Sequence, residues 1–191
     1  MTAQDILDFW FLAPGSPGYG QPRDEWFRKN DAFDTAIRER FGAMIEQAMA
    51  GGLREWDLLG PEGILARILL LDQFTRNAFR GKPASFAGDP LALAAAQALD
   101  NGADQALLPV QRWFAYMPFE HAEDARMQER SVALFTALSQ ANPGFEGVLD
   151  YAHRHRGVIA RFGRFPSRNA ILGRASTPEE LAYLAQGGSG F

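Results

Sequence analysis

The stretch DAFDTAIRERFGAMIEQAMAGG, residues 31–52, indicates the architecture because its apolar residues recur every three or four positions. That spacing lines one face of an α-helix with apolar side chains, and the Gly51-Gly52 pair ends the helix. The stripe consists of Phe33, Ile37, Phe41, Met44, Ile45 and Ala48. Similar patterns recur along the chain, and no segment shows the sustained alternation of a half-buried strand, so the sequence predicts an all-α protein.

Capping residues and short Gly- and Pro-containing segments mark the other predicted helices. Thr2 is placed to cap a first helix, Pro61 to begin a third, and Asp89-Pro90 to begin an alanine-rich one. Thr177 and Glu180 have the spacing of a capping box before a last helix, which Gly187-Gly188 ends, leaving Ser189-Gly190-Phe191 as a tail. Further helices are predicted over 104–117, 120–141 and 145–163. We predict a single domain over residues 1–191, with eight or nine antiparallel helices in a superhelix or a compact bundle.

Composition narrows the class of protein. A chain of 191 residues with 47% hydrophobic and 22% charged residues is typical of one globular domain. The absence of cysteine excludes disulfides and thiolate chemistry. The N-terminus has no basic region typical of a signal peptide, and the run Ile68–Leu71 is far shorter than the roughly 20 residues of a membrane span. We therefore predict a cytoplasmic protein with no membrane partner.

Charge is distributed unevenly along the chain. The formal net charge is −4, which disfavours nucleic-acid binding. Residues 150–174, however, contain six arginines and one acid, Asp150, so this segment carries +5 and the remainder −9. An arginine-rich segment on an acidic protein favours an acidic partner.

Two local motifs combine arginine and asparagine with large apolar residues. The first Arg–Asn motif is FTRNAFRG, residues 74–81, and the second is FPSRNAILGR, residues 165–174. A planar guanidinium suits bidentate pairing with a carboxylate or a phosphate. The motifs are therefore candidates to hold an anionic ligand, and they equally suit internal acidic partners. The candidate residues are Arg76, Asn77, Arg80, Arg168 and Asn169.

At these residues the chain resembles a known bacterial family, domain of unknown function 924. The matching segments are ILDFWF at 6–11, LDQFTRNAFRG at 71–81, PFEHAED at 118–124, QERS at 128–131 and the segment 153–174. The resemblance implies an all-α superhelix similar to tetratricopeptide-repeat proteins and implies no established activity. Two positions depart from the family pattern: Thr75 stands where proline is usual, and Ser167 where histidine is common.

Glu120 and His121 are candidate catalytic residues, and Asp124 lies close to them in the sequence. If they begin the helix predicted over 120–141, they extend its apolar stripe backwards at steps of three or four residues. Buried carboxylates need a partner. One interpretation gives them an internal arginine, namely Arg76, Arg80 or Arg168. The other makes them the floor of a polar pocket, with His121 as general base or ligand and Glu120 beside it.

The other two histidines lie on the helix predicted over 145–163. His155 falls on the apolar stripe, which predicts a hydrogen-bonded core residue. His153 falls on the polar face with Asp150, Gly157, Arg161 and Arg164. Because residues two apart on a helix point in different directions, the two imidazoles do not jointly chelate one metal easily. We predict no metal site and no cofactor.

These patterns leave more than one function open. The favoured hypothesis is a binding module that presents a concave helical face to a peptide or protein partner. The alternative is a site for a small anionic ligand, catalytic or not, which the residues leave undecided. Its predicted ligand-binding residues are Arg76, Asn77, Arg80, Glu120, His121, Asp124, His153, Arg164, Arg168 and Asn169. RNA binding through the arginine-rich segment is disfavoured by the acidic remainder.

Overall fold

Helices make up the regular structure of residues 1–188, the part of the chain that the computed structural model describes. The α-helices are α1 (Ala3–Phe11), α2 (Asp31–Met49), α3 (Pro61–Ile68), α4 (Thr75–Ala78), α5 (Asp89–Leu99), α6 (Pro109–His121), α7 (Ala125–Ala141), α8 (Glu146–Phe162) and α9 (Pro178–Ala185). No strand occurs in this range, which confirms the all-α prediction. The tetratricopeptide-like superhelix stays a prediction, and the tail at 189–191 lies outside the described residues.

Local signals set several helix boundaries where the sequence predicts them. Thr2 and Asp5 form a capping box at α1, and Thr177 and Glu180 form another at α9. The side chain of Asn30 accepts hydrogen bonds from the first-turn amides of α2. None of the helices within residues 1–188 combines the length and apolar character needed to cross a membrane.

The chain divides into two compact units. Unit 1 comprises residues 1–80 and 84–118, and unit 2 comprises residues 81–83 and 119–191. The prediction of a single domain stays a prediction.

Unit 1 has a core built from aromatic rings. Trp10 stacks on Trp26 with ring centroids 5.9 Å apart, and the Trp26 indole donates a hydrogen bond to the Trp10 carbonyl at 3.0 Å. Trp10 also packs against Phe74 and Phe114 at 5.4 Å each. Such rings bury large apolar areas and prefer offset or edge-to-face contacts. This cluster fixes the end of α1 against α6 and the segment that follows α3.

Between α3 and α4 the helix widens into a π-helical turn over Leu69–Phe74, in which every residue is buried. The Thr75 hydroxyl donates to the Leu71 and Asp72 carbonyls at 2.8 and 3.1 Å, which satisfies backbone acceptors at the end of this turn. The helix then stops at Ala78. Arg80 therefore leaves the helical path, and its side chain can reach another helix.

Unit 2 is built on the helical hairpin of α7 and α8. Glu129 near the start of α7 contacts Arg156 in the second half of α8 at 3.2 Å, as antiparallel neighbours require. Val158 and Ile159, near the end of α8, form a small buried cluster with Phe165, which follows the helix. Phe162 and Tyr183 pack against that cluster and join α8 to α9.

Candidate functional site

The first Arg–Asn motif of unit 1 places Arg76 between two carboxylates. Its Nη1 lies 3.1 Å from Asp72 Oδ1, and its guanidinium donates to both oxygens of Asp89 at 2.8 and 3.1 Å. Burial opposes the charge on Arg76, but the two carboxylates outweigh it and raise the pKa of the guanidinium. Asp89, predicted to cap α5, instead lies within the helix as its first residue and binds Arg76.

Asp34 of α2 receives the other two polar residues of the first motif. Asn77 Nδ2 donates to Asp34 at 2.8 Å, and Arg80 donates through Nε and Nη2 at 2.8 and 3.0 Å. The Asp34 side chain is 5% exposed. Its burial favours the neutral acid, but the hydrogen bonds from Arg80 and Asn77 prevail and lower its pKa. The three candidate residues of this motif thus have acidic partners inside unit 1.

The second Arg–Asn motif, in unit 2, is also tied to groups of its own unit. Arg168 Nη2 donates to the His121 carbonyl at 2.9 Å, and the guanidinium lies 4.6 Å from the centroid of the Phe165 ring. Asn169 is 1% exposed and donates to Glu180 at 3.2 Å. The asparagine is therefore part of the core of unit 2.

Glu180, in the first turn of α9, accepts several of these hydrogen bonds. Arg164 donates to both of its carboxylate oxygens at 2.7 and 2.8 Å, and the Thr177 amide donates at 2.7 Å. These contacts, the Arg164 hydrogen bonds first, lower the pKa of Glu180 from its ordinary 4.5 to about 2. Arg164, a predicted ligand residue, is thereby engaged in docking α9.

Glu123 holds a further network that the sequence patterns do not indicate. Arg174 forms a bidentate pair with Glu123 at 2.6 and 2.9 Å, and the Phe165 amide donates to the same carboxylate at 2.7 Å. Burial raises the pKa of Glu123, but the Arg174 and Phe165 hydrogen bonds outweigh it, so the net shift is downward. Both ends of the second motif, residues 165 and 174, are thus anchored to one carboxylate.

Glu120 and His155 form a buried pair in unit 2. His155 Nδ1 lies 2.8 Å from Glu120 Oε1 and 2.9 Å from the Tyr151 carbonyl, and the two side chains are 8% and 4% exposed for His155 and Glu120. The His121 ring lies 6.2 Å from the His155 ring and is only partly buried. The internal partner of Glu120 is therefore a histidine and not the predicted arginine, and His155 is the hydrogen-bonded core residue that its place on the apolar stripe predicts.

The placement of Glu120, His121 and Asp124 on one helix was wrong. Glu120 and His121 belong to the last turn of α6, which runs through Pro118, whereas Asp124 is the exposed N-cap of α7. Its carboxylate accepts from two first-turn amides of α7 at 2.8 and 3.0 Å. A helix break after residue 121 therefore separates the three residues between two helices.

Gln128 explains how this break is stabilised. Its side chain is fully buried, and its Nε2 donates to the Glu120 and Ala122 carbonyls at 2.7 and 2.8 Å. These are carbonyls at the end of α6, which a helix cannot satisfy internally. Gln128 lies in a segment that carries the family resemblance, although its pattern gave no sign of this role.

His153 lies apart from the buried pair. It is exposed on α8. The neighbouring Asp150, which with His153 resembles half of a carboxylate–histidine metal motif, pairs with Arg154 at 2.6 Å. Within residues 1–188, no three His, Asp, Glu or Cys side chains converge as metal ligands do.

A surface groove of about 380 Å³ lies between the second half of α8 and the end of α9. Its lining includes two arginines, three glycines and two aromatic rings. Of these, Gly157 and Arg161 were predicted to share the polar face of the helix, but the pattern did not connect them with Arg154 or with the aromatic rings. The detectable signal was Arg154, Gly157 and Arg161, spaced three and four residues apart on one helix face.

The fold and these clusters define an all-α protein in which arginine–carboxylate networks hold the connections between helices. A family model for a "Bacterial protein of unknown function (DUF924)" matches residues 6–188, and the chain belongs to that family. The predicted family resemblance is thereby confirmed.

Comparison with solved structures gives a similar protein of known fold. The structure of a protein of unknown function, ATU0120 from Agrobacterium tumefaciens, is 44% identical with a TM-score of 0.81. The match covers 96% of this chain and 97% of that one. No curated protein matches the chain.

Proposed function

We propose that this protein is a binding module for a peptide or protein segment. One observation supports the proposal above the others. The arginines of both Arg–Asn motifs, which suggested an anion site, already bind carboxylate or carbonyl acceptors within their own units. Removing them from these partners would leave buried acids such as Asp34 unpaired, at a cost in stability.

A structural role for these arginines changes where a partner is expected. A binding surface needs side chains that can exchange solvent or a weak contact for the ligand. In unit 2, such side chains lie on the exposed face of α8, where Arg154 and Arg161 are about half exposed. We infer that the partner contacts this face and leaves the buried networks intact.

The proposal can be tested by selecting, from a library of displayed random peptides, those that bind the immobilised 191-residue chain. The expected result is a family of related sequences that bind as free synthetic peptides in a saturable way. Failure to enrich any such family, in selections that enrich ligands for a known peptide-binding domain, would count against a peptide-binding function.

A small anionic ligand near His121 is the second candidate. Arg168 and His121 are only partly buried and adjoin the buried Glu120–His155 pair, an arrangement found in pockets that orient a charged group. A thermal-shift screen with anionic metabolites, on wild type and Arg168→Ala, tests this candidate. A ligand at about 100 times its Kd adds roughly 2.7 kcal/mol, or several degrees. A hit that the variant loses would favour this second function.

A further inference from the structure

The groove between α8 and α9 has an aromatic side. The Phe162 and Tyr183 rings lie 5.0 Å apart and are partly buried. The Arg161 guanidinium lies 4.7 Å from the Phe162 centroid and 5.8 Å from that of Tyr183. Stacked on these rings, the arginine is held in place at the edge of the groove. An apolar ligand side chain would find rings to contact, and an anionic one would find the guanidinium next to them.

Gly157 lines the groove in the second half of α8, and neither backbone conformation nor packing requires a glycine there. Its φ is not positive, and a Cβ built on it meets no atom within 4 Å. Glycine inside a helix lowers stability relative to alanine. Gly157 lowers helix stability and relieves no clash, but the absence of a side chain there keeps the groove open. A residue that lowers stability without a structural reason is expected at functional sites.

The two arginines bracket this glycine along the helix. Arg154 and Arg161 are seven residues apart, which is roughly 10.5 Å along the helix axis. Each has an exposed acidic partner: Asp150 is 58% and Glu179 is 62% exposed. Exposed ion pairs contribute little to stability, so a ligand carboxylate can replace either partner at small cost.

The spacing of the arginines selects the geometry of an acidic ligand. A polyproline II segment rises about 3.1 Å per residue with three residues per turn, so residues three apart lie on the same side, about 9.3 Å from each other. Two acidic side chains at that spacing match the two guanidiniums. The residues between them then lie over Gly157, beside the Phe162 and Tyr183 rings.

We propose that the α8–α9 groove binds an extended peptide segment with two acidic residues three positions apart and an aromatic residue between them. The proposal rests on the peptide-binding function proposed above and specifies its ligand. The bracketing arginines provide the charge complementarity. The open face of Gly157 provides the room for the peptide backbone.

The test uses the full chain and the synthetic peptide acetyl-Gly-Glu-Pro-Phe-Glu-Gly-amide, followed by ¹⁵N–¹H NMR titration. Two comparison peptides replace both glutamates by glutamine or place the glutamates next to each other. We expect the spaced acidic peptide to bind roughly tenfold tighter than either. The glutamine peptide loses the charge-assisted hydrogen bonds, which are about twice as strong as neutral ones, and adjacent glutamates do not match the spacing of the two guanidiniums. Its largest shifts are expected at the amides of residues 154–162.

Two glycine variants of α8 separate blocking the groove from altering the helix. Gly157→Leu fills the groove and should weaken binding at least tenfold. Gly147→Leu is the matched control, because Gly147 is also exposed on α8 and its Cβ also meets nothing within 4 Å. Arg154→Gln and Arg161→Gln should each weaken binding several-fold, whereas Arg156→Gln should not, because Arg156 contacts Glu129 of α7.

Several results would overturn the groove proposal. These are no saturable shift at millimolar peptide, equal binding of the glutamine peptide, or equal binding by Gly157→Leu. Citrate binding as tightly as the peptide would make the groove a small-anion site, and self-association abolished by Gly157→Leu would assign it to a second copy. If peptides from the display selection bind Gly157→Leu normally, the groove proposal fails while the binding function stands.

Discussion

Replacing Gly157 by alanine is expected to stabilise the protein. Gly157 is the twelfth of 17 residues in α8, it is exposed, and a Cβ there meets no atom within 4 Å. Alanine at a compatible helical site restricts the unfolded chain and improves helix propensity, together worth about 0.4–1 kcal/mol. For a chain of this size, each kcal/mol of added stability raises the Tm by about 2–4 °C, so the Tm of this variant should rise by roughly 1–4 °C.

Gly163, one residue beyond the same helix, is the contrasting site. It ends α8 with φ of +69°, a left-handed conformation that costs a residue with a Cβ about 1–2 kcal/mol. Gly163→Ala should therefore lower the free energy of unfolding by about 1 kcal/mol. Urea unfolding followed by circular dichroism measures both variants. If Gly157→Ala destabilises the protein, the groove glycine has a packing role that contradicts the reasoning given above.

Three further substitutions test the buried networks. Asp34→Ala leaves the Asn77 amide without its buried acceptor and should cost about 2 kcal/mol in urea unfolding; a neutral result would show that the amide finds another partner. His155→Ala leaves the Glu120 carboxylate buried and unpaired and should cost about 3 kcal/mol, with the double variant Glu120→Gln/His155→Ala costing less than the sum of the singles in a double-mutant cycle. Glu180→Gln should destabilise the protein above pH 4.5, and its difference from wild type should shrink as the pH falls to about 2, because the folded-state pKa lies below the unfolded one and the stabilisation is lost on protonation. Urea midpoints at pH 6 and pH 3 measure this last effect, and a difference independent of pH would contradict it.

Helix starts could be predicted from the sequence because capping is local. Thr2, Pro61 and Thr177 each act within one turn of their own position, and the structure places helix starts beside all three. The end of α6 could not be predicted from its local signal, Pro118. Proline usually ends a helix, yet α6 continues through it to His121.

That boundary changed the interpretation of the candidate site. Because α6 ends at His121, four residues later than predicted, Glu120 and His121 lie on a different helix from the one that Asp124 caps. The partner of Glu120, His155, lies 35 positions further along the chain, and no local pattern connects the two. Sequence patterns placed Glu120 and His155 on apolar helix faces, but pairing among buried polar residues depends on tertiary packing, as the link from Arg80 to Asp34 also shows.

The second Arg–Asn motif shows that the same residue types suit either a ligand site or a structural contact within the protein. Its arginine and asparagine suit an anion, and Asn169 does bind one, but the anion is the protein's own Glu180. Arg164, outside the motif, provides the bidentate pair that the motif suggested. A residue type suited to a ligand is equally suited to an internal acid, and only the three-dimensional neighbours distinguish the two.

The aromatic core gives unit 1 a spectroscopic signature of its own. The four tryptophans of the chain, at positions 10, 26, 56 and 113, all belong to unit 1, whereas unit 2 carries tyrosines at 151 and 183. Intrinsic tryptophan emission therefore reports the melting of unit 1, while circular dichroism reports helices in both units. A substitution in α8 that shifts the dichroism transition and leaves the emission transition in place identifies the two units as separate cooperative folding units.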